Sequence, residues 1–146
     1  MLPNETYAMR RECYRIIPEE YVAVPFVDFL PLIKEVTDAF NEMIKIYQEA
    51  EHNKIICGKL LDKVQKSDTA ISNLKNRNEN DEYFSRENFN KLKSLVHIIG
   101  NIRNFVGKIA KSYQDERIEN DVKIFNYELD FMMQSMDISL ASDTGN

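Results

Sequence analysis

Between Phe29 and Leu74 the chain reads as two amphipathic helical segments with almost nothing between them. Apolar side chains fall at Leu30, Ile33, Val36, Phe40, Met43, Ile44, Tyr47 and Ala50, and resume at Cys57, Leu60, Val64, Ile71 and Leu74. Spacing of three and four places one apolar stripe on each segment. The His52–Asn53 junction is so short that it predicts two helices folded back on each other, stripe against stripe.

Nothing downstream interrupts this pattern. The four prolines are Pro3, Pro18, Pro25 and Pro31, and from Leu32 onward there are none, so long helices are permitted throughout. Helix one is expected from near Pro31, where proline suits a first turn, to about Glu51. Helix two is expected from about Asn53 to Arg77, with Gly58 marking close approach of a neighbour. The polar stretch 76–85 reads as a loop ending at Ser85, an N-cap followed by acidic Glu87. Helix three then carries Phe89, Leu92, Val96, Ile99, Ile102, Val106, Ala110 and Tyr113, with Gly100 and Gly107 on one flank suggesting tight packing. After a polar break at 114–119, helix four carries Ile118, Val122, Phe125, Leu129, Met132, Met136 and Leu140.

Four stripes of similar length with short connections predict an all-α fold, an antiparallel up-down four-helix bundle with an N-terminal strap or short extra helix. The expected division is 1–28 as an N-terminal extension, 29–140 as the bundle and 141–146 as a frayed tail. In the extension, a short helix is expected near Glu5–Ile16, with Tyr14, Ile17, Tyr21, Val24 and Phe26 packing onto the bundle as a strap; a partly mobile arm is the alternative. The expected core is Ile33, Phe40, Tyr47, Cys57, Leu60, Val64, Ile71, Phe89, Leu92, Val96, Ile99, Val106, Val122, Phe125, Leu129 and Met132. Phe131, Met132, Met133 and Met136 cluster at helical spacing, which suits a core more than an adaptable interface.

A length of 146 residues suits one domain. No run of about 18 apolar residues exists, so no transmembrane helix is expected, and Glu5, Arg10, Arg11, Glu12 and Arg15 leave no room for a secretory h-region. Cys13 and Cys57 make no disulfide framework, which suits a reduced cytoplasmic setting. The net charge of −5 argues against nucleic acid as a partner.

Catalytic constellations are missing. His52 and His97 are the only histidines, and Glu49–His52 is a single i, i+3 pair without the second unit that a di-metal bundle site needs. His52 suits a helix end, His97 a half-buried core edge, and Cys57 a small core residue. No phosphate-cradling glycine loop, Gly-x-Ser-x-Gly or Cys-x-x-Cys occurs. No enzyme activity, metal or cofactor is expected.

Charge placement says more than the total. Segment 30–51 nets −3, 53–77 nets +4, 86–111 nets +5 and 115–137 nets −5. If helices two and three are neighbours, Lys54, Lys59, Lys63, Lys66, Arg86, Lys91, Lys93, Lys108 and Lys111 form one basic side. Such a side could be neutralised within the bundle, engage anionic lipid, or meet the acidic side of a second copy.

The segment from Ile33 to Leu74, above all Ile44-x-x-Tyr47 followed by Asn53-Lys54-x-x-Cys57-Gly58-x-Leu60-x-Asp62-x-Val64, resembles the first helical hairpin in the N-terminal four-helix bundle of mixed-lineage kinase domain-like proteins. Related HeLo-like bundles occur in fungal cell-death proteins and kinases. The resemblance extends over residues 30–138; Lys63 stands where arginine is common, and residues 1–28 have no counterpart. It implies a membrane-directed cell-death effector or its regulatory bundle. Such a protein self-associates on activation, engages anionic phospholipid through the basic residues above, and moves from the cytoplasm to the plasma membrane. It also implies restraint by a C-terminal or separate kinase region. The alternative is a helical adaptor that docks a partner helix or a downstream kinase domain without membrane activity.

Overall fold

The structure, a computed structural model, describes residues 17–112 and 116–138. Within them the fold is all-helical. A 3₁₀ turn at Glu19–Tyr21 precedes α1 (Phe26–Glu49), α2 (Lys54–Ser72), a second 3₁₀ turn (Asn73–Asn76), α3 (Arg86–Ile109) and α4 (Arg117–Ser135). The expected helix near Glu5–Ile16, Tyr14, Tyr113, Leu140 and the tail lie outside the described residues.

Helix α1 begins at Phe26, not near Pro31. Burial decides this: Phe29 is fully enclosed and Val24 nearly so, and that apolar contact draws the helix start toward the N-terminus. Pro31 therefore sits inside the helix, where its missing N–H leaves the Val27 carbonyl without a helical donor. Both residues face solvent, so water can take that role. At the other end of the hairpin, α2 stops at Ser72 and tightens into the 3₁₀ turn, short of the expected Arg77.

The extension is tied to the bundle by its backbone. Val24 N–H donates to the Phe84 carbonyl at 2.9 Å and Arg86 N–H to the Val22 carbonyl at 2.8 Å, around an isolated antiparallel bridge between Ala23 and Ser85. Phe84 then meets Phe26 and Phe29 edge-on at 5.0 and 4.9 Å, and Phe29 meets Phe89 at 5.4 Å. Each such pair adds about 0.5–1.5 kcal/mol beyond its buried area. The boundary expected at residue 28 thus falls inside a continuous packed unit. Only part of the expected strap packs: Val24 is buried and Phe26 half-buried, while Ile17 and Tyr21 stay exposed.

At the α1–α2 junction Asn53 adopts the left-handed conformation, φ 54° and ψ 35°, which asparagine tolerates better than most residues. Its side-chain amide donates to the carbonyls of Ile109 at 2.9 Å and Ser112 at 3.2 Å. Glu51 and His52 N–H both donate to the Ala110 carbonyl at 3.1 Å. The junction thereby satisfies the carbonyls that the end of α3 leaves open. Ser85 caps the other end of α3, its hydroxyl accepting from Asn88 N–H. A Cβ at Gly58 would lie 3.0 Å from the Tyr47 ring, whereas one at Gly100 would meet only the end of Arg103 at 3.8 Å. Tight packing thus explains Gly58 and not Gly100.

Helix order in space departs from the sequence expectation. α1 packs extensively on both α2 and α3, α4 packs mainly on α3, and α2 meets α3 and α4 only sparsely. The two basic helices therefore pack against acidic α1 more than against each other. The reason is apolar: α1 buries Phe29, Ile33, Val36, Ala39 and Met43, the long stripe best able to cover two partners.

Of the expected core, Ile33, Cys57, Leu60, Val64, Ile71, Leu92, Ile99, Val106 and Leu129 are buried. Phe40, Tyr47, Phe89, Val96, Val122, Phe125 and Met132 are half-buried against that cluster. On α4 the enclosed side chains are Ile118, Leu129 and Met133, with Met136 just beyond. Met133 takes the place expected for Met132 because α4 has one main neighbour and shows it a narrower stripe.

Candidate functional site

α4 carries a second apolar set on its outer side. Ile124, Tyr127 and Phe131 are spaced i, i+3, i+7, and are 48%, 69% and 57% exposed. The Tyr127 and Phe131 rings stack, 6.2 Å between centroids with planes 19° apart. At 100° per residue these three point away from the face that holds Ile118, Leu129 and Met133. Asp121, Glu128 and Arg117 flank them on one side, and Lys123 with Glu119 beyond it on the other. Asp130, on the same helix, is engaged by Lys63 at 2.8 Å. A singly exposed apolar residue is ordinary, whereas a contiguous rimmed set marks an interaction surface.

The nine basic residues predicted as a lipid-binding side are spread along the length of α2 and α3. Lys54, Lys108 and Lys111 sit at the junction end, where Asn53 reaches the Ile109 and Ser112 carbonyls. Arg86, Lys91 and Lys93 occupy the opposite end of α3, and Lys59, Lys63 and Lys66 run along α2. Two are committed inside the fold. Lys63 bonds Asp130, joining α2 to α4, and Lys91 bonds Glu87 at 2.6 Å and the Ser135 carbonyl at 2.8 Å, joining α3 to α4. Lys54 and Lys93 lie over the rings of Tyr47 and Phe89, 4.8 and 5.7 Å from the centroids. Arg103 approaches Glu42 of α1 at 3.7 Å. Neutralisation between helices, one of the three uses open to these charges, accounts for Lys63 and Arg103, while Lys91 is paired with Glu87 of its own helix.

Groups with chemical potential are few. Cys57 is buried among apolar side chains, its thiol pushed up by loss of solvent, and its Sγ lies 4.0 Å from the Val106 carbonyl. That environment keeps it a protonated, unreactive thiol. His97 is exposed, not the half-buried residue expected. Among the described residues no three His, Cys, Asp or Glu side chains stand close enough to hold a metal ion, and no helix is long and apolar enough to cross a membrane.

A cleft of about 750 Å³ opens where the extension, the 77–85 loop and the end of α4 meet, lined by Tyr21, Arg77, Asp81, Tyr83 and Asp137 among others. Arg77 stacks 4.5 Å over the Tyr83 ring and bonds Asp81 at 3.2 Å. Asp81 also accepts from Tyr83 N–H at 2.7 Å, which holds its carboxyl below the usual range. Burial drives the Tyr83 phenol far above its ordinary value; Arg77 opposes this and Asp137 reinforces it. The phenol is thus a neutral structural group.

Neither Ile124 nor Tyr127 stood out in the sequence. The signal was present as a second i, i+3, i+7 set interleaved with the core stripe of α4, masked by the apolar residues around it. Comparison with protein-family profiles, with curated proteins and with solved structures returns no match to this chain.

Proposed function

We propose that this chain is a helical binding module, an antiparallel up-down bundle that offers the outer side of α4 to a partner helix. The Ile124–Tyr127–Phe131 stripe carries the reading. The three side chains span about two turns, roughly 10 Å, the length over which an amphipathic helix places its i, i+3 and i+7 anchors. Their stacked rings form a preorganised apolar surface, and aromatic residues dominate the energetics of such contacts.

Side-chain pairings support the helix directions. Between α1 and α2, Thr37 meets Asp68 at 2.6 Å while Tyr47 lies beside Gly58, so numbers rise on one helix as they fall on the other. Lys91 with Ser135 and Phe105 with Phe125 repeat this for α3 and α4. Phe29 with Phe89 and Glu42 with Arg103 rise together, as the first and third helices of such a bundle must.

Selection of a displayed library of helical peptides against the full chain tests the function. Helices enriched on the wild type should lose binding to the double variant Tyr127→Ser/Phe131→Ser. No enrichment, or equal binding to both proteins, refutes the reading.

A second reading follows from Ile55, which is 76% exposed between Lys54 and Lys59 at the junction end, near Lys108 and Lys111. An apolar tip among lysines suits an anionic phospholipid surface, each near-surface cation adding about 1 kcal/mol. Membrane-directed cell death with self-association, and restraint by a kinase region, belong to this reading through the resemblance described above. Co-sedimentation with vesicles containing phosphatidylinositol phosphates decides it. Failure of the wild type to pellet, or unchanged pelleting of Lys54→Glu/Lys59→Glu, excludes it.

A further inference from the structure

Resting on α4 as the docking face, we infer that the partner is a cationic amphipathic helix. Its apolar side covers Ile124, Tyr127 and Phe131, and lysines or arginines on its flanks meet Glu119, Asp121 and Glu128 on the rim. The charge of α4 selects this class. Over residues 116–137, six acids face two basic residues, Arg117 and Lys123. Asp130 is taken by Lys63, Lys123 lies one turn from Glu119, and Asp121 and Glu128 share the opposite flank of the stripe with Arg117, one turn before Asp121. An acidic helix or an anionic lipid surface brought onto this face would set like charges together, which suppresses wrong partners. A neutral helix would gain only the apolar contact of three side chains. A cationic helix gains that contact together with steering by the acidic rim, an attraction that falls with salt because the rim is exposed.

Three synthetic peptides of about 18 residues, roughly 27 Å of helix, separate the possibilities. They share one leucine-rich face and carry lysine, glutamine or glutamate on the flanks. Fluorescence anisotropy with the full chain should rank lysine above glutamine above glutamate, the extremes differing by at least about tenfold at low salt. The gap should shrink between about 50 and about 300 mM NaCl. Glu119→Lys/Glu128→Lys should reverse the order, and Tyr127→Ser/Phe131→Ser should abolish binding of the lysine peptide while the helical circular dichroism is unchanged. Equal binding of all three peptides, lost in Tyr127→Ser/Phe131→Ser, overturns the cationic partner and leaves the docking face standing. Lysine-peptide binding that survives Tyr127→Ser/Phe131→Ser is bulk charge attraction and overturns both. Concentration-dependent self-association in sedimentation, lost in Phe131→Ser, makes a second copy the occupant and overturns the inference.

Discussion

Asn53 supports the α1–α2 junction in two separable ways, so three substitutions at one position dissect it. Replacement by alanine puts a Cβ-bearing residue without local hydrogen-bonding capacity at φ 54°, at a cost of about 1 kcal/mol relative to asparagine. It also deletes the donations to the Ile109 and Ser112 carbonyls. Hydrogen bonds contribute about 0.5–1.5 kcal/mol each; the half-buried Ile109 bond belongs near the middle of that range and the exposed Ser112 bond at its foot. Asn53→Ala should therefore destabilise the fold by about 2–3 kcal/mol, lowering the melting temperature by roughly 5–10 °C for a chain of this size. Glycine restores the backbone freedom and not the bonds, so Asn53→Gly should cost about 1 kcal/mol less than alanine. Aspartate keeps the left-handed tolerance but sets a carboxylate against carbonyls at the negative end of α3, so Asn53→Asp should cost at least as much as alanine. Urea unfolding of the four proteins, read by circular dichroism with m-values compared, measures all three differences. A loss under 0.5 kcal/mol for alanine, or aspartate matching the wild type, would refute the claim that this side chain caps α3.

Three further outcomes follow from burial and charge. Leu60→Ala, at a fully enclosed site, should cost about 2–5 kcal/mol, and half-buried Phe125→Ala clearly less than the about 3–5 kcal/mol of an enclosed phenylalanine; equal losses in urea unfolding would show that the two sites are not differently packed. Tyr83→Phe removes a buried hydroxyl with no hydrogen-bond partner among the described residues. It should be neutral or stabilising by up to about 1 kcal/mol, and a substantial loss in a thermal melt would reveal a partner for that oxygen. Because the Asp81 carboxyl lies below its unfolded value of 3.8, its contribution is present above about pH 4 and disappears as pH falls through the folded value. Stability against acid should therefore decline less steeply in Asp81→Asn than in the wild type, and identical acid limbs would rule this out.

Helix identity was legible because it is written in local spacing. The stripes through Ile33, Leu60, Leu92 and Leu129, the cap at Ser85 and the close approach at Gly58 each depend on residues a few positions apart, or on one residue's missing side chain. Helix ends were less legible. Phe26 rather than Pro31 starts α1 because Phe84 and Phe89, some sixty residues away, surround Phe29. The candidate site was hidden for a related reason: at helical spacing Ile124, Tyr127 and Phe131 cannot be told from core until the position of α3 fixes which side of α4 is covered.

The sequence alone therefore determined that the chain carries four amphipathic helical segments, the first and fourth acidic and the second and third basic. Those properties follow from periodicity and composition. Tertiary structure alone decided that the two basic helices pack on α1 more than on each other, that Lys63 and Lys91 bind α4 instead of facing outward, and that an exposed apolar stripe with two stacked rings is left on the outer side of α4. The physical reason is that apolar burial chooses neighbours by the length and width of their stripes, and charges then take whatever partners that packing supplies.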